Sequence, residues 1–558
     1  MLLLVAEWVA LFGLLVGWGL FVLSLLARIR RGLSGNLGIF PTLWLGYAGL
    51  LGFSLVLSLV MPIARPALVL AWLPALAGFA VQRRAVVHRL RELRARPRTT
   101  IVVGVVGLVA WLAVAYAACD RVTGYDTLLY HLQVVKWNAT YAAVPGLANL
   151  HLRLGYDNSV HVFGALVDAF WQGEGVHATN GFLMAAVLSH WFAEILMART
   201  PRGRLRQAFC LLTLPFLLAK LWYVEVASYS SDLPLAIFSL VLLLELISLP
   251  RVARDRLVVP VAYVLALAAV AATTKLGGMG LLVATAICAA VLARVLGKRD
   301  VIAVVALPAV IVVGWLVRNA IVSGWLIFPV FGKLPLPWAV SRAAAAEHLG
   351  WIESWARLPQ QEPQQVLGHG FLHWFVPWFD GFRQSHEMIL LAAAAALLAW
   401  RIADGFAVSA ARRAGEWAAI GGCLLALAQW FVGAPDLRFG GFLFWALPAA
   451  LLAPAIANAM RDATIRAFAL AISLVACAWQ GGLTPRIDDV VPPLWKRPVS
   501  PAKRHYVWEQ TGPQTLVMSP LGTDQCNDAP LPCTPYPSTQ TLRDPSSLGA
   551  GFYLAPGS

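Results

Sequence analysis

IVVGVVGLVAWLAVAYAA, residues 101–118, runs without a polar break into CDRVTGYDTLLYHLQVVKWNATYAAVPGLANLHLRLGYDNS, residues 119–159. The first piece is long and apolar enough to cross a hydrocarbon core of about 30 Å. The second crowds acids, histidines, aromatics and a Pro-Gly break into a stretch where a membrane protein ordinarily has a short polar turn. Long loops on a rigid scaffold are where binding and catalytic groups gather. The chemistry is therefore expected on the outer membrane face, in this loop.

The rest of the 558-residue chain repeats the first piece. It is 59% hydrophobic and only 13% charged, about half the usual charged share, and its mean hydropathy is +0.71. That excludes a soluble enzyme. Apolar runs at about 3–27, 39–61, 66–82, 101–118, 177–197, 208–224, 232–249, 257–273, 276–296, 301–317, 387–402, 416–433, 440–459 and 464–481 predict an all-α polytopic membrane protein of about fourteen transmembrane helices. Met1 to Ala27 lacks a basic leading region and a cleavage site, so it reads as a retained first helix. The net charge of +15 raises the possibility of nucleic acid, and its location answers it. Arg28, Arg30 and Arg31, seven arginines between Arg83 and Arg98, and the groups at 199–206, 251–256, 294–299, 401–413 and 461–466 lie in short loops between apolar runs. That pattern marks cytoplasmic loops. With an even number of helices it predicts an inner-membrane protein with both ends outside, membrane lipid as a partner and no nucleic acid.

A transmembrane domain is expected over 1–481, with outer loops at 119–176 and 318–386, followed by a periplasmic tail at 482–558. Leu128, Leu129, Leu132, Val135 and Tyr141 recur at helical spacing and predict an interfacial helix, with a second over Asn158–Trp171. The middle loop carries Trp338, Trp351, Trp355, Trp374 and Trp378, an interfacial composition. The tail is rich in Pro, Thr and Ser and reads as a small cap. Five of seven cysteines sit in or beside apolar runs. Cys526 and Cys533, in CNDAPLPC, would pair in an oxidising compartment; neither stands in the C-x-x-C spacing of a zinc site.

Asp126, just past the outer end of a helix, is the expected general base, because desolvation raises a carboxylate toward a useful pKa. The competing reading is a helix N-cap. Tyr130 and His131 follow at a spacing that brings them to the same face, His131 as a second catalytic candidate and Tyr130 as a substrate-binding one. Asp232, in SSDLPLAIF, is a second acid at a helix start, where capping is again the alternative. Lys275, Arg318 with Asn319, and Arg438 stand at outer helix ends against the charge trend, and Arg153 lies in the first loop. Each could find a local partner, Arg438 with Asp436 for example. Together they read as a phosphate site between helices. Trp137, His151 and Asp157 complete the substrate-binding candidates. The eleven histidines show no ligand spacing, so neither metal nor cofactor is expected.

GYDTLLYHLQVVKW (124–137), VPGLANLHLRLGYDNS (144–159), SSDLPLAIF (230–238), VRNAIVSGWLIFP (317–329) and APDLRF (434–439) resemble the GT-C superfamily of polytopic glycosyltransferases, and within it a group of bacterial members. The resemblance implies an inverting transferase that takes sugar from a polyprenyl-phosphate donor to a glycan, lipid or protein acceptor. It also implies a catalytic acid in the first large outer loop, here Asp126, with two interfacial helices after it. The chain departs from the pattern in two ways. Three helices precede the one leading into the loop, and Asp126 is followed by Thr127 in place of a second acid. The rival readings are a flippase or transporter of lipid-linked oligosaccharides and a surface-polysaccharide polymerase or ligase. A transporter would place its charges at mid-membrane on broken helices, whereas these lie at helix ends.

Overall fold

The computed structural model describes residues 1–29, 37–95, 97–170, 175–221, 225–249, 257–294, 296–403, 414–479, 496–501, 505–512, 515–537 and 539–554. The expected domain boundary at 481/482 lies outside them, as do several of the arginine-rich loops. Each of the fourteen apolar runs is helical. Among the described residues nine helices are long and apolar enough to cross a membrane: Leu2–Ile29, Ile39–Leu57, Pro97–Ala118, Gly175–Met197, Leu276–Ala293, Lys298–Ser323, His386–Ala403, Ala414–Gly433 and Leu437–Ile456. A tenth arises if Arg65–Val81 and Arg83–Arg94, bent by 71° at their junction, count as one. The chain is a multi-pass membrane protein.

The expected count of fourteen spans is thus not reached by length and composition, for physical reasons. Asp232–Ile247 has 16 residues and is buried from Leu233 to its end. Val258–Thr274 has 17 and is buried almost throughout. Their apolarity serves packing inside the bundle as much as contact with lipid. Pro201–Leu221 carries Arg202, Arg204, Arg206 and Lys220, which lower its hydropathy.

Small residues let the helices approach closely, the usual device where lipid removes the hydrophobic drive for association. Leu2–Ile29 packs on Ile39–Leu57 and on Arg65–Val81. At that first crossing a Cβ on Gly46 would collide with the Leu15 carbonyl, and one on Gly19 with that of Thr42. Arg83–Arg94, by contrast, buries nothing.

Both helices expected in the first loop form, but neither lies free at an interface. Leu132–Thr140 is mostly buried, and every residue of Ser159–Asp168 up to Val167 is buried against the bundle. The tail explains the first case. Its strands Tyr506–Gly512 and Thr515–Pro520 pair antiparallel, as do Gln540–Leu542 and Phe552–Leu554, and Cys526 is bonded to Cys533. This small module sits on the first loop. Asn527 N–H donates to Leu128 O at 2.6 Å and Phe552 N–H to Pro145 O at 3.0 Å. Gln133 Nε2 donates to Ala529 O at 3.0 Å.

Candidate active site

Asp126 precedes one π turn, Thr127–His131, in which Leu132 N–H bonds back to Thr127 O before the α-helix resumes. Such turns recur at functional sites. The carboxylate does not cap this helix. It is held from both sides, Oδ1 by Arg153 Nη1 at 3.0 Å and Oδ2 by Arg438 Nη2 at 2.9 Å. The solitary, desolvated acid expected from sequence is in fact doubly ion-paired.

Local structure delivers each partner. Arg153 lies on the 3-10 turn Leu152–Tyr156, downstream of the Pro145-Gly146 break, where Gly146 adopts φ +66°, a conformation glycine takes at little cost. Arg438 is the second residue of Leu437–Ile456. Asp436 caps that helix by accepting the Arg438 backbone N–H at 2.8 Å. The guanidinium turns instead to Asp126 and to Asp232, whose Oδ2 is 3.5 Å from Nε. Asp232 Oδ1 is in turn ion-paired with Lys275, and the Phe439 ring lies 4.0 Å from Lys275 Nζ and 4.9 Å from Arg438 Cζ.

The result is an alternating chain, Arg153–Asp126–Arg438–Asp232–Lys275, of three cations and two carboxylates, with one positive charge in excess. Its exposure is graded. Arg438 (42%) and Arg153 (32%) lie outermost, Asp126 (19%) beneath them and Asp232 (9%) deepest. An anion arriving from solvent meets guanidinium first.

The other candidates divide. Tyr130 is buried under Arg153, whose Cζ is 5.8 Å from the ring centre. His131 is buried nearby, with Nδ1 3.3 Å from Thr127 Oγ1 and Nε2 without a hydrogen-bond partner among the described residues. Burial, His161 and the cations Lys275, Arg438 and Arg153 hold its pKa well below the usual histidine value. It is a neutral ring with no hydrogen bond to Asp126. His151 is buried edge-on to Tyr130 and Tyr536, and burial, Arg153 and His348 push it down to about 3.

Arg318 was expected to converge with Lys275 and Arg438, and it does not. Its guanidinium is buried against Asp157, with Nη2 2.9 Å from Oδ1. It also donates to Ser58 Oγ at 2.6 Å and Asn138 Oδ1 at 2.8 Å. Asp157 reaches it from a left-handed backbone, φ +44°. Asn319 donates to Trp315 O at 3.0 Å within its own helix. This cluster clamps the first loop to two helices, with the guanidinium turned to Asp157, Ser58 and Asn138. Trp137 likewise packs away from the site, against Tyr141 and Phe552. Sequence reasoning missed the Lys220–Glu225 pair at 3.1 Å and Tyr125, whose hydroxyl donates to Asp524 of the tail. An aromatic residue directly before the candidate acid was the available signal for Tyr125. Among the described residues no group of three or more His, Cys, Asp or Glu is arranged to hold a metal.

Residues 1–445 match the family described as Domain of unknown function (DUF8201). The chain belongs to that family. No curated protein matches this DUF8201 member. Among solved structures it matches the arabinosyltransferase EmbB from Mycobacterium smegmatis at 12% identity and a TM-score of 0.35, over 74% of this chain and 41% of that one. The DUF8201 chain thus spans less than half the length of that protein.

Proposed function

We propose that this DUF8201 protein is a GT-C-type membrane glycosyltransferase. It moves a sugar from a polyprenyl-phosphate donor to an acceptor hydroxyl in cell-envelope glycan or glycoprotein synthesis, on the periplasmic face. The observation that carries the reading is Asp126 held between Arg153 and Arg438. A polyprenyl donor keeps its tail in lipid and presents a phosphodiester at the surface, and these guanidiniums are the most exposed members of the charge chain. Its single negative charge matches the excess of the chain. The bonded Cys526–Cys533 pair supports an oxidising outer compartment for this face.

An arriving phosphate competes with Asp126 for both arginines. As they turn to it, the carboxylate is released and can act as base once the donor is in place. The acceptor O–H gives its proton to Asp126 while its oxygen bonds to the anomeric carbon. The bond from that carbon to the phosphate oxygen breaks, and polyprenyl phosphate leaves with one more negative charge. Arg153, Arg438 and Lys275 stabilise that charge, and attack opposite the leaving group inverts the anomeric centre. Asp232 holds Lys275 and Arg438 in position.

The test is transfer from polyprenyl-phosphate-linked hexoses and pentoses by purified protein and its Asp126→Asn variant. General-base catalysis is worth about 10²- to 10⁴-fold, so Asp126→Asn should lose at least about 100-fold while melting at the wild-type temperature. Asp232→Asn, the matched control, should lose less. Undiminished transfer by Asp126→Asn, or no transfer from any such donor, overturns the reading.

A further inference from the structure

Two aromatic side chains beside the charge chain remain half exposed, Tyr125 at 50% and Tyr536 at 53%. They come from opposite ends of the sequence. Tyr125 directly precedes Asp126, and Tyr536 lies on the tail, just beyond the disulfide. The Tyr125 hydroxyl donates to Asp524, also of the tail. The Tyr536 ring lies 5.5 Å from that of His151, and burial and Asp524 raise its hydroxyl's pKa against a smaller opposing pull from Arg153. Tyr125, Tyr536, Asp524 and Arg153 therefore share one rim, next to Asp126.

The tail is fixed there. Asn527 N–H bonds Leu128 O, Gln133 bonds Ala529 O, and Lys136 Nζ is 2.6 Å from Asp528 Oδ1. All three contacts join the disulfide loop to the helix that begins at Asp126, so the rim is built from two segments on one rigid support. Its chemistry is mixed. Tyrosine offers a flat apolar face and a polar edge, and here a carboxylate and a guanidinium stand beside two such faces. A sugar ring uses both kinds of group, stacking its C–H face on an aromatic ring and bridging neighbouring hydroxyls to carboxylate and guanidinium. A hydrocarbon chain gains nothing from Asp524 or Arg153.

We propose that Tyr125, Tyr536 and Asp524 form a carbohydrate subsite that seats the acceptor, so that the preferred acceptor is a glycan and its hydroxyl is delivered to Asp126. This rests on the glycosyl-transfer reading above. The experiment is binding of the whole protein, in lipid nanodiscs, to an array of neutral hexose and pentose oligosaccharides and to serine- and threonine-containing peptides. The affinity of the tightest oligosaccharide is then measured for variants. Tyr125→Ala and Tyr536→Ala should each weaken it about tenfold, the loss of one aromatic contact. Tyr125→Phe and Tyr536→Phe, which keep the ring, should stay within about threefold. That pattern supports the subsite whether or not sugar transfer is detected. Binding of no oligosaccharide, preference for the peptides, or wild-type affinity in either alanine variant overturns it.

Discussion

Removing Arg318 would leave the Asp157 carboxylate buried beside Ser58 and Asn138 with no cation. Breaking a buried pair from one side typically costs about 3–5 kcal/mol, so Arg318→Ala is expected to unfold at a much lower temperature in detergent. Arg318→Lys should recover little of this, because one ammonium cannot reproduce a forked set of donors. Arg438→Ala removes a half-exposed cation, and is expected to keep most of the stability while losing donor use. His151 adds a pH effect. It stays neutral in the folded protein down to about 3, whereas the unfolded chain protonates near 6.5. Between those values the unfolded state binds the extra proton, so stability is full above pH 6.5 and falls as the pH drops. The loss from this one site between pH 7 and pH 5 should be about 2 kcal/mol, and melting curves of His151→Gln should show a flatter dependence. His348, pushed down to about 4 by burial and Arg153, adds to it with the same sign. In the sequence Arg318 and Arg438 carry one signal, a cation at a helix end that needs an anion. Nothing local separates the buried clamp from the more exposed site, because the difference lies in partners far away along the chain.

At the level of elements, the fourteen helices were legible because hydropathy is a local property, and the count of spans was not, because the same apolarity also fills a bundle interior. Ser159–Asp168 illustrates the ambiguity: its polar positions Ser159 and His161 are satisfied inside, by Thr273 Oγ1 at 3.0 Å and Tyr229 O at 3.1 Å, so it reads as amphipathic and is buried. Arg206, which in sequence looks like one more loop cation, is buried against Glu194 at 2.8 Å and Glu245 at 2.9 Å. In the sequence the tail reads only as a small cap; which strands pair, and that they seat on the Pro145-Gly146 turn, has no local signal. That seat is testable. A Cβ on Gly146 would run into the Phe552 carbonyl, and its φ is one that alanine resists. Gly146→Ala should therefore detach strand Phe552–Leu554 from the loop. Limited proteolysis should then cut the tail several-fold faster while the helical bundle stays intact; an unchanged tail would show that the turn yields without loss.

For the molecule as a whole, the proposed function requires a definite orientation. Arg83–Arg94 should lie on the cytoplasmic side and the tail strands on the other. Single cysteines placed in 85–93 should escape a membrane-impermeant thiol reagent in intact cells, and those at exposed tail positions such as Leu516 should react. The reverse pattern would invert every site assignment above. Opening the Cys526–Cys533 bond, which closes a loop over a sequence separation of 7, is expected to cost about 2–3 kcal/mol. The cost should be confined to the tail module and visible as faster hydrogen exchange of the Asn527 amide, which donates to Leu128 O.

Gln133 and Ala529 touch across a sequence separation of 396. A ribosome adding 5–20 residues per second needs roughly 20–80 s to cover that distance. The helix behind Asp126 therefore emerges long before the segment that will cover it. Throughout that interval Gln133 and Lys136 have none of their tail partners, and a factor that shields them would act only on the nascent chain. The site is thus completed last in time although its acid is made early, and a ribosome that stalls late would leave a full set of helices around a half-built rim.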